Sequence, residues 1–457
     1  MNAPFQKAVD IKKIREENHQ DFSLQSRQPN RLYEMAYDDT NRCIQCGYCL
    51  PVCPTYESLG RESASPRGRI NLVKMAAEGK IDLVEHLSEP IDLCLGCRAC
   101  EIACPVDVPY GHILESAKTA IAEKQVVQKV KGQKIKKAVL TKMFPYPKRM
   151  RLLGNAYWFY QKTGLRKLVQ KTKIIHKISE PMGQIEKVIP PLEFPLKRSA
   201  WGAVFPAKGE KKARVAFFAG CITDAMLYKT NRLSIELLTL VGCEVVIPKT
   251  QKCCGALHAH QGLAEEAKQL AINNIQAFDE ADADFIINNA GGCGAMLREY
   301  DHLLSENYDW RERAAKFSSA SLDISELLVK FGPLPFQKEW HGIITYQDSC
   351  HLRNVQGVHT QPRTLLKSIP GATYIELESA DSCCASGGIY NLLHFDESMK
   401  ILDSKMKDVA ETKATTVVTT NPGCLLQMRL GIEREGKSNT IQGLHLVEVL
   451  AEACRIH

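Results

Sequence analysis

Several features that mark common protein classes are missing from this chain of 457 residues. Its glycines form neither a G-x-G-x-x-G nor a Walker motif, so no phosphate-binding loop for a flavin or nicotinamide coenzyme is visible. No apolar run approaches the roughly 18 residues of a membrane span, and the first residues lack the apolar core of a signal peptide. These absences predict a cytoplasmic protein without a coenzyme site of its own.

Acidic residues are absent from one long stretch. Residues 124–179 contain sixteen of the 59 Lys and Arg residues, while all 52 Asp and Glu residues lie elsewhere. Apolar and aromatic side chains are mixed with the basic ones there, which predicts basic amphipathic helices. Three uses remain open: a patch that contacts a membrane surface, a docking face for an acidic partner, or a helical spacer between domains. No recognised nucleic-acid-binding module accompanies the charge, so nucleic acid is not predicted as a partner.

Cysteine, by contrast, is abundant, with 18 residues. Residues 43–54 and 94–105 share the pattern C-x2-C-x2-C-x3-C-P. Three thiolates at this spacing wrap one face of an iron–sulfur cube, and the fourth ligates the neighbouring cluster in two-cluster ferredoxins. We therefore predict two [4Fe–4S] clusters, at a first and a second ferredoxin site. The first ferredoxin site comprises Cys43, Cys46, Cys49 and Cys104, and the second comprises Cys94, Cys97, Cys100 and Cys53.

Neither a zinc site nor a disulfide framework suits these runs. Zinc is typically held by pairs of cysteines, and disulfides require an oxidising compartment. The forty residues between the runs predict helices, because Ser65 and Pro66 form a helix start and a second short helix fits residues 82–87. The arrangement resembles the α-helical ferredoxin domain of succinate dehydrogenase iron–sulfur subunits. Arg67 and Arg69 either offset the negative charge of the clusters or are solvated charges at a helix start.

The second part of the chain contains an internal repeat. The cysteine spacing is C-x31-CC-x38-C in the first copy and C-x32-CC-x39-C in the second. In each copy a cysteine or a cysteine pair follows each of three predicted strands, and ligands bind at that edge of an open parallel sheet. Each copy should therefore present four thiols to one crevice, with the copies facing each other about a pseudo-twofold axis. The first set is Cys221, Cys253, Cys254 and Cys293, and the second is Cys350, Cys383, Cys384 and Cys424.

These repeats resemble the cysteine-rich CCG domains of heterodisulfide reductases, anaerobic glycerol-3-phosphate dehydrogenase and the iron–sulfur subunits of glycolate and lactate oxidases. The motifs at 253–260, 348–355, 383–391 and 421–427 are most similar to the glycolate oxidase iron–sulfur subunit family. We refer to the two repeat sets as the first and second CCG sites.

The resemblance implies an α + α/β fold. Its parts are an α-helical ferredoxin domain, a basic helical linker and two tandem Rossmann-like CCG domains. The predicted boundaries are 1–30 for an N-terminal arm, 31–123 for the ferredoxin domain, 124–210 for the linker, and 211–336 and 337–457 for the CCG domains.

The resemblance also implies an electron-transfer subunit without catalytic residues of its own. An FAD-containing partner subunit would oxidise glycolate to glyoxylate, and this chain would pass the electrons to an acceptor such as a membrane quinone. A position at the inner face of the cell membrane is compatible with that role. Three rivals remain open: a lactate-oxidising complex, an anaerobic glycerol-3-phosphate dehydrogenase complex, and a stand-alone disulfide reductase.

Two positions depart from the heterodisulfide reductase pattern, which ends each repeat with C-x2-C. Met296 and Gln427 occupy those last positions here, which argues against a disulfide reductase and leaves four thiols in each copy. Four thiols suit one further iron–sulfur cluster per copy, a zinc ion, or a thiol cluster without metal.

Five further residues near the repeats have less distinctive patterns. His258, His260 and His351 lie beside the cysteines in the sequence. Three roles remain open for their imidazoles: metal ligand, proton relay or ordinary polar contact. Cys243 and Cys454 fall outside the repeat pattern, and we expect both to be buried core residues.

Overall fold

A computed structural model describes residues 35–128 and 133–456, without the side chains of residues 133–136. The predicted N-terminal arm, 1–30, lies outside the described residues. The remainder forms a helical region, a series of linker helices and two α/β units, each built on its own sheet. This arrangement confirms the predicted α + α/β fold. Within the described ranges, no helix has both the length and the apolar character needed to cross a bilayer.

The helical region packs around the helix that begins at Pro66. The Ser65 side chain accepts a hydrogen bond from the backbone N–H of Gly68, so this helix starts where the sequence predicts. The second predicted helix is a single π-type turn, whose first N–H groups are capped by the carboxylate of Asp82. The helices of this region are Tyr37–Thr40, Pro54–Leu59, Pro66–Ala77, Ser88–Asp92, Ala99–Ile102 and Tyr110–Val127, with a 3-10 turn at Glu62–Ala64 and the π turn at Leu83–Leu87.

The basic stretch is helical, as predicted. Its longest helix, Pro147–Lys162, packs against the first helix of the first α/β unit, and Gly154 permits the close approach. A Cβ atom at Gly154 would lie 2.2 Å from the backbone carbonyl oxygen of Ala225. Beside it, the Arg151 guanidinium donates to both carboxylate oxygens of Asp224, at 2.7 and 2.9 Å. The other linker helices are Gln133–Lys142, Leu165–Thr172, Ile174–Ile178 and Glu180–Val188, followed by a 3-10 turn at Pro195–Lys197.

Two sheets organise the α/β units. Their strands are β1 (Val204–Phe205), β2 (Ala213–Phe217), β3 (Cys243–Val246), β4 (Phe285–Asn288), β5 (Ser321–Asp323), β6 (Gly342–Tyr346), β7 (Ala372–Tyr374), β8 (Thr416–Thr419) and β9 (Gln442–His445). The first sheet has the order β1-β3-β2-β4-β5, in which only β1 is antiparallel to its neighbour, and the second has the parallel order β7-β6-β8-β9. All six strands that the sequence predicts are present, and β1, β5 and β9 are additional.

Helices cover the faces of both sheets, as expected for parallel strands joined by crossover connections. In the first unit they are Cys221–Met226, Tyr228–Leu240, Ala256–Ala259, Ala264–Asp279, Gly291–Arg298, Tyr300–Leu303, Arg311–Ala320 and Ile324–Phe331. In the second unit they are Cys350–Asn354, Thr360–Lys367, Tyr390–Leu393, Phe395–Glu411, Pro422–Arg434 and Leu446–Ala453.

The two units share one hydrophobic core. The second helix after β2 packs against the helix after β9, and the helix after β5 packs against the second helix that follows β6. These reciprocal contacts relate the units by an approximate twofold axis. Cys243 and Cys454 are both buried in the shared core, which confirms that they are core residues. The pseudosymmetry extends to the helix starts, because Asp323 and His445 each form a capping box with a glutamate three residues later.

The close contact at Gly154 generates a stability prediction. Alanine in place of glycine inside a helix normally stabilises a protein by about 1 kcal/mol. We expect Gly154→Ala to have the opposite effect, because its Cβ would force the helix Pro147–Lys162 away from the Ala225 carbonyl. Thermal unfolding should show a lower midpoint. Leu153→Ala, at an exposed position of the same helix, is the control and should leave the midpoint unchanged. A higher midpoint for Gly154→Ala would show that the helix is not in close contact with the first unit at this position.

Candidate metal centres

The first ferredoxin site surrounds a small cavity. All four of its cysteines line that cavity, and Cys100 of the second site also borders it. The loop that carries the first three cysteines turns tightly, with positive φ at Gln45 and Gly47. The Gln45 side chain donates to the Cys43 sulfur at 3.4 Å, and the backbone N–H of Val108 donates to the Cys104 sulfur at 3.5 Å. Hydrogen bonds of this kind stabilise negative charge on sulfur.

The second ferredoxin site surrounds a neighbouring cavity, lined by all four of its cysteines. The backbone N–H of Gly96 and the hydroxyl of Tyr110 each donate to the Cys94 sulfur at 3.4 Å. Burial alone would raise the pKa of Cys94. The charges of Arg69 and Lys118 and the hydrogen bonds from Tyr110 and Gly96 together outweigh burial and hold this pKa below its usual value. Burial raises the pKa of Cys100 well above its usual value, so metal binding there must displace a proton.

The start of the helix Pro66–Ala77 forms the wall between the two cavities. Pro66 lines both, Arg67 lines the first and Arg69 lines the second. Arg67 is partly exposed and forms an ion pair with Glu62, with Nε 2.7 Å from Oε1. Arg69 is only 1% exposed. The two arginines therefore have different roles: Arg67 is a solvated charge at the helix start, whereas Arg69 faces the second cavity from inside the protein.

Both cavities suit the predicted cofactor. Each collects four thiols on short loops with backbone and side-chain donors aimed at sulfur, which is the donor set of a [4Fe–4S] cluster. The buried Arg69 has no carboxylate at ion-pair distance among the described residues. Its positive charge therefore requires a compensating negative charge, and the second cavity is where that charge can lie. A thiolate-ligated cluster would supply that charge.

The first CCG site gathers its four cysteines at the carboxyl edge of the first sheet. Cys221 begins the helix after β2, Cys253 and Cys254 lie in the loop after β3, and Cys293 lies on the helix after β4. The sulfur atoms of Cys221 and Cys253 are 3.6 Å apart. Cys254 hydrogen-bonds with both Cys253 and Cys293, which raises its own pKa well above the usual value. The cysteines that follow three different strands thus meet, as the repeat predicts.

The second CCG site has the same construction. Hydrogen bonds join Cys350 to Cys383, Cys383 to Cys384, and Cys384 to Cys424. The pKa of Cys350 is lowered to about 5, first because Cys383 donates a hydrogen bond to it and then because His351 lies beside it, against the effect of burial. The His351 Nδ1 is 3.5 Å from the Cys350 sulfur.

The three histidines beside the cysteines make specific contacts. His258 is fully buried, with Nε2 3.0 Å from the Leu140 carbonyl oxygen of the linker. The rings of His260 and His351 lie 5.3 Å apart, which brings the two CCG units together near their cysteine edges. His260 Nδ1 is also 3.3 Å from a carboxylate oxygen of Glu115 on the ferredoxin domain.

One contact that sequence patterns do not indicate joins the second ferredoxin site to the second CCG site. The Asn354 side chain donates to the backbone carbonyl of Cys97 at 2.8 Å. Cys97 and Cys350 both pack against one apolar cluster that includes Leu95, Cys383 and Tyr390. The Arg98 guanidinium forms an ion pair with a residue of the first unit, Glu299. The ferredoxin domain is therefore fixed against both α/β units.

Comparison with family models assigns four segments of the chain to known types. Residues 39–108 match the 4Fe-4S dicluster domain, and residues 215–298 and 344–429 match the cysteine-rich CCG domain. Residues 131–189 match the linker region of the glycolate oxidase iron-sulfur subunit.

The chain is also similar to known bacterial proteins along most of its length. It is 47% identical to a probable glycolate oxidase iron-sulfur subunit of Bacillus subtilis, over 90% of this chain and 93% of that protein. It is 28% identical to the glycolate oxidase iron-sulfur subunit of Escherichia coli, over 90% and 94%. Lactate utilization protein A of Oceanobacillus iheyensis is 32% identical over 52% of this chain and 96% of that protein.

The clustering of the thiols predicts a defined metal content. Anaerobically purified protein should contain about 8 Fe per chain from the ferredoxin sites and about 4 more for each CCG site that holds a [4Fe–4S] cluster. We expect Cys384→Ala to lose the metal of the second CCG site alone. Cys454→Ala, which removes a buried thiol outside all four sites, is the control and should keep the full content. Fewer than about 6 Fe in the unmodified protein, with stoichiometric zinc instead, would contradict the iron–sulfur assignment.

Proposed function

Because the chain belongs to the family of glycolate oxidase iron–sulfur subunits, we propose that it carries electrons from a flavoprotein subunit of a glycolate-oxidising complex to a downstream acceptor. Iron–sulfur clusters exchange one electron at a time, which suits a relay between a two-electron flavin and another carrier. The observation that carries the proposal is that Cys97 and Cys350 pack against the same apolar cluster, so that the second ferredoxin site adjoins the second CCG site. Two [4Fe–4S] clusters in the ferredoxin domain and one further iron–sulfur cluster in each CCG site complete the proposed relay.

The surface of the first ferredoxin site supports electron entry there. Cys46 is exposed in the loop that carries three of the four ligands. Ile44 and Tyr48 of the same loop are 64% and 68% exposed, although large apolar side chains of this kind are usually covered. An apolar rim around a redox centre is a suitable docking surface for a partner subunit. We assign this rim to the FAD-containing subunit.

The extent of similarity favours glycolate over lactate as the substrate of the complex. The relatives described as glycolate oxidase subunits share the whole arrangement of this chain, over 90% of its length. Lactate utilization protein A of Oceanobacillus iheyensis matches only about half of it. The reaction would convert glycolate to glyoxylate on the partner's flavin, while this chain moves the electrons and contributes no catalytic residue.

The linker helices support a membrane-facing position for the complex. Leu165 and Leu168 lie one turn apart on the helix Leu165–Thr172, and both are exposed. On the preceding helix, Leu152 and Phe159 share a face and are also exposed. An acidic protein partner would account for the basic charge of this region, but exposed apolar side chains among lysines are the composition of a helix that lies in a lipid headgroup layer.

The lysines of these helices lack internal partners. None of the described carboxylates lies within ion-pair distance of Lys162, Lys167, Lys171, Lys173 or Lys177, and all five side chains are exposed. Their charge is available to an external anionic surface. We propose that this linker surface rests on the inner face of the cell membrane, where a quinone acceptor is accessible.

Electron flow through the first ferredoxin site can be separated from substrate chemistry. In the assembled complex, Cys49→Ser should leave anaerobic reduction of the flavin by glycolate intact but stop reduction of the acceptor, because the entry cluster is lost. Absorbance of the flavin and EPR of the clusters measure the two steps. Cys243→Ser is the control and should permit both. Loss of flavin reduction in an assembled Cys49→Ser complex would show that the division of labour proposed here is wrong.

Membrane contact through the linker predicts a charge-dependent affinity for anionic vesicles. Replacing Lys162, Lys167, Lys171 and Lys173 by Gln should weaken binding to phosphatidylserine-containing vesicles by at least about 10²-fold, since each lysine near such a surface contributes about 1 kcal/mol. Co-sedimentation at constant ionic strength measures the change.

A variant with the same loss of charge elsewhere is the matched control for the vesicle assay. Lys208, Lys268, Lys338 and Lys400 form ion pairs within the protein, and their replacement by Gln should leave vesicle binding unchanged. Equal binding by the linker variant and the unmodified protein would exclude the linker as the lipid contact.

A further inference from the structure

Arg69 is a buried cation whose charge is not balanced by a carboxylate. Its side chain is 1% exposed, and no described carboxylate lies within ion-pair distance of the guanidinium. Nε donates to the Pro90 carbonyl oxygen at 2.7 Å, and Nη2 donates to the Thr55 hydroxyl at 3.0 Å. Both acceptors are neutral. Because arginine does not release its proton in proteins, the charge must be balanced by something else.

The second ferredoxin site is the nearest source of negative charge. Arg69 lines its cavity, and the thiols whose charge interacts most strongly with the guanidinium are Cys94 and Cys53. The Thr55 hydroxyl that holds Nη2 is 3.3 Å from the Cys53 sulfur and donates to the Ala64 carbonyl oxygen at 3.0 Å. The guanidinium is thus held by Pro90 and by Thr55, and Thr55 is itself anchored to Ala64 beside Cys53.

Among the residues that the structure describes, none gives the first ferredoxin site an equivalent charge. Arg67 approaches its cavity, but its side chain is 29% exposed and its charge is paired with Glu62. Solvent and the carboxylate together screen that arginine, whereas the field of Arg69 acts through a buried region of low dielectric constant. The two sites therefore have similar thiol sets but different electrostatic surroundings.

We propose that Arg69 is a positioning residue that raises the reduction potential of the cluster at the second ferredoxin site above that of the first. A thiolate-ligated cluster is negatively charged, and reduction adds one further negative charge, which a nearby fixed cation stabilises. An electron that enters at the first site then moves downhill to the second, from which Cys97 leads to the second CCG site. The inference rests on the proposed function only in requiring that both ferredoxin sites hold clusters.

Redox titration of the full-length protein, followed by EPR, tests the proposal. The Cys49→Ser variant identifies the signals of the first site by their loss. Arg69→Met should lower the reduction potential of the second site, relative to the first, by at least about 59 mV. For a one-electron couple, this shift is a tenfold fall in the equilibrium constant for electron transfer from the first site to the second. Arg69→Lys, which keeps the charge, should retain most of the original difference. Arg67→Gln is the matched control and should leave the second-site potential unchanged.

The other possible results of the titration either support or overturn the role proposed for Arg69. An unchanged second-site potential in Arg69→Met, or an equal shift at both sites, overturns the proposal. If Arg69→Met does not retain the second cluster, Thr55→Val provides the test, because it removes the acceptor that holds Nη2 beside Cys53. A lowered second-site potential in Thr55→Val supports the proposal, and an unchanged one overturns it. Absence of both cluster signals from the unmodified protein would instead contradict the proposed function.

Discussion

Bringing thiols together inside a protein is the constraint on which this structure depends. Burial raises the pKa of Cys97 and Cys100, and hydrogen bonds to a neighbouring thiol raise that of Cys254 and Cys424. Such groups repel one another when ionised and are costly to bury when ionised alone. A metal centre removes both costs at once, because it replaces protons by cations shared among all the thiolates. The sixteen clustered cysteines form four such sets, and the fold supplies the loops that hold them.

The two CCG units are nearly symmetric, but their surroundings are not. Each places its cysteines at the carboxyl edge of a parallel sheet, and each contributes a helix to the core of the other. The ferredoxin domain breaks this symmetry. Its Cys97 packs against the same apolar cluster as Cys350 of the second unit, whereas Arg98 and Glu115 contact Glu299 and His260 of the first unit. Two similar thiol sites therefore have different positions in the electron route that we propose.

Much of this architecture follows from the sequence, and the exceptions have physical reasons. The cysteine spacing predicts the composition of the sites and the strands that precede them, because a parallel sheet brings the ends of its strands to one edge. Strands β1, β5 and β9 are two to four residues long and carry no motif, so the pattern does not indicate them. The contact between Asn354 and Cys97 joins residues 257 positions apart, and no local pattern encodes it. Arg67 and Arg69 look equivalent in sequence, but two residues on a helix differ by about 200° in direction, so that one is exposed and the other is buried.

Because each CCG unit contributes a helix to the core of the other, the first unit cannot complete its core until the second has been synthesised. The helix Leu446–Ala453 completes the hydrophobic core that the helix Tyr228–Leu240 begins, more than 200 positions earlier in the chain. A ribosome that has released the whole first unit has therefore not yet released the residues that finish its core. Until they emerge, the cysteines of the first unit lie in an incompletely packed domain. Any metal that the first CCG site binds can thus reach its cysteines before the fold is fully closed.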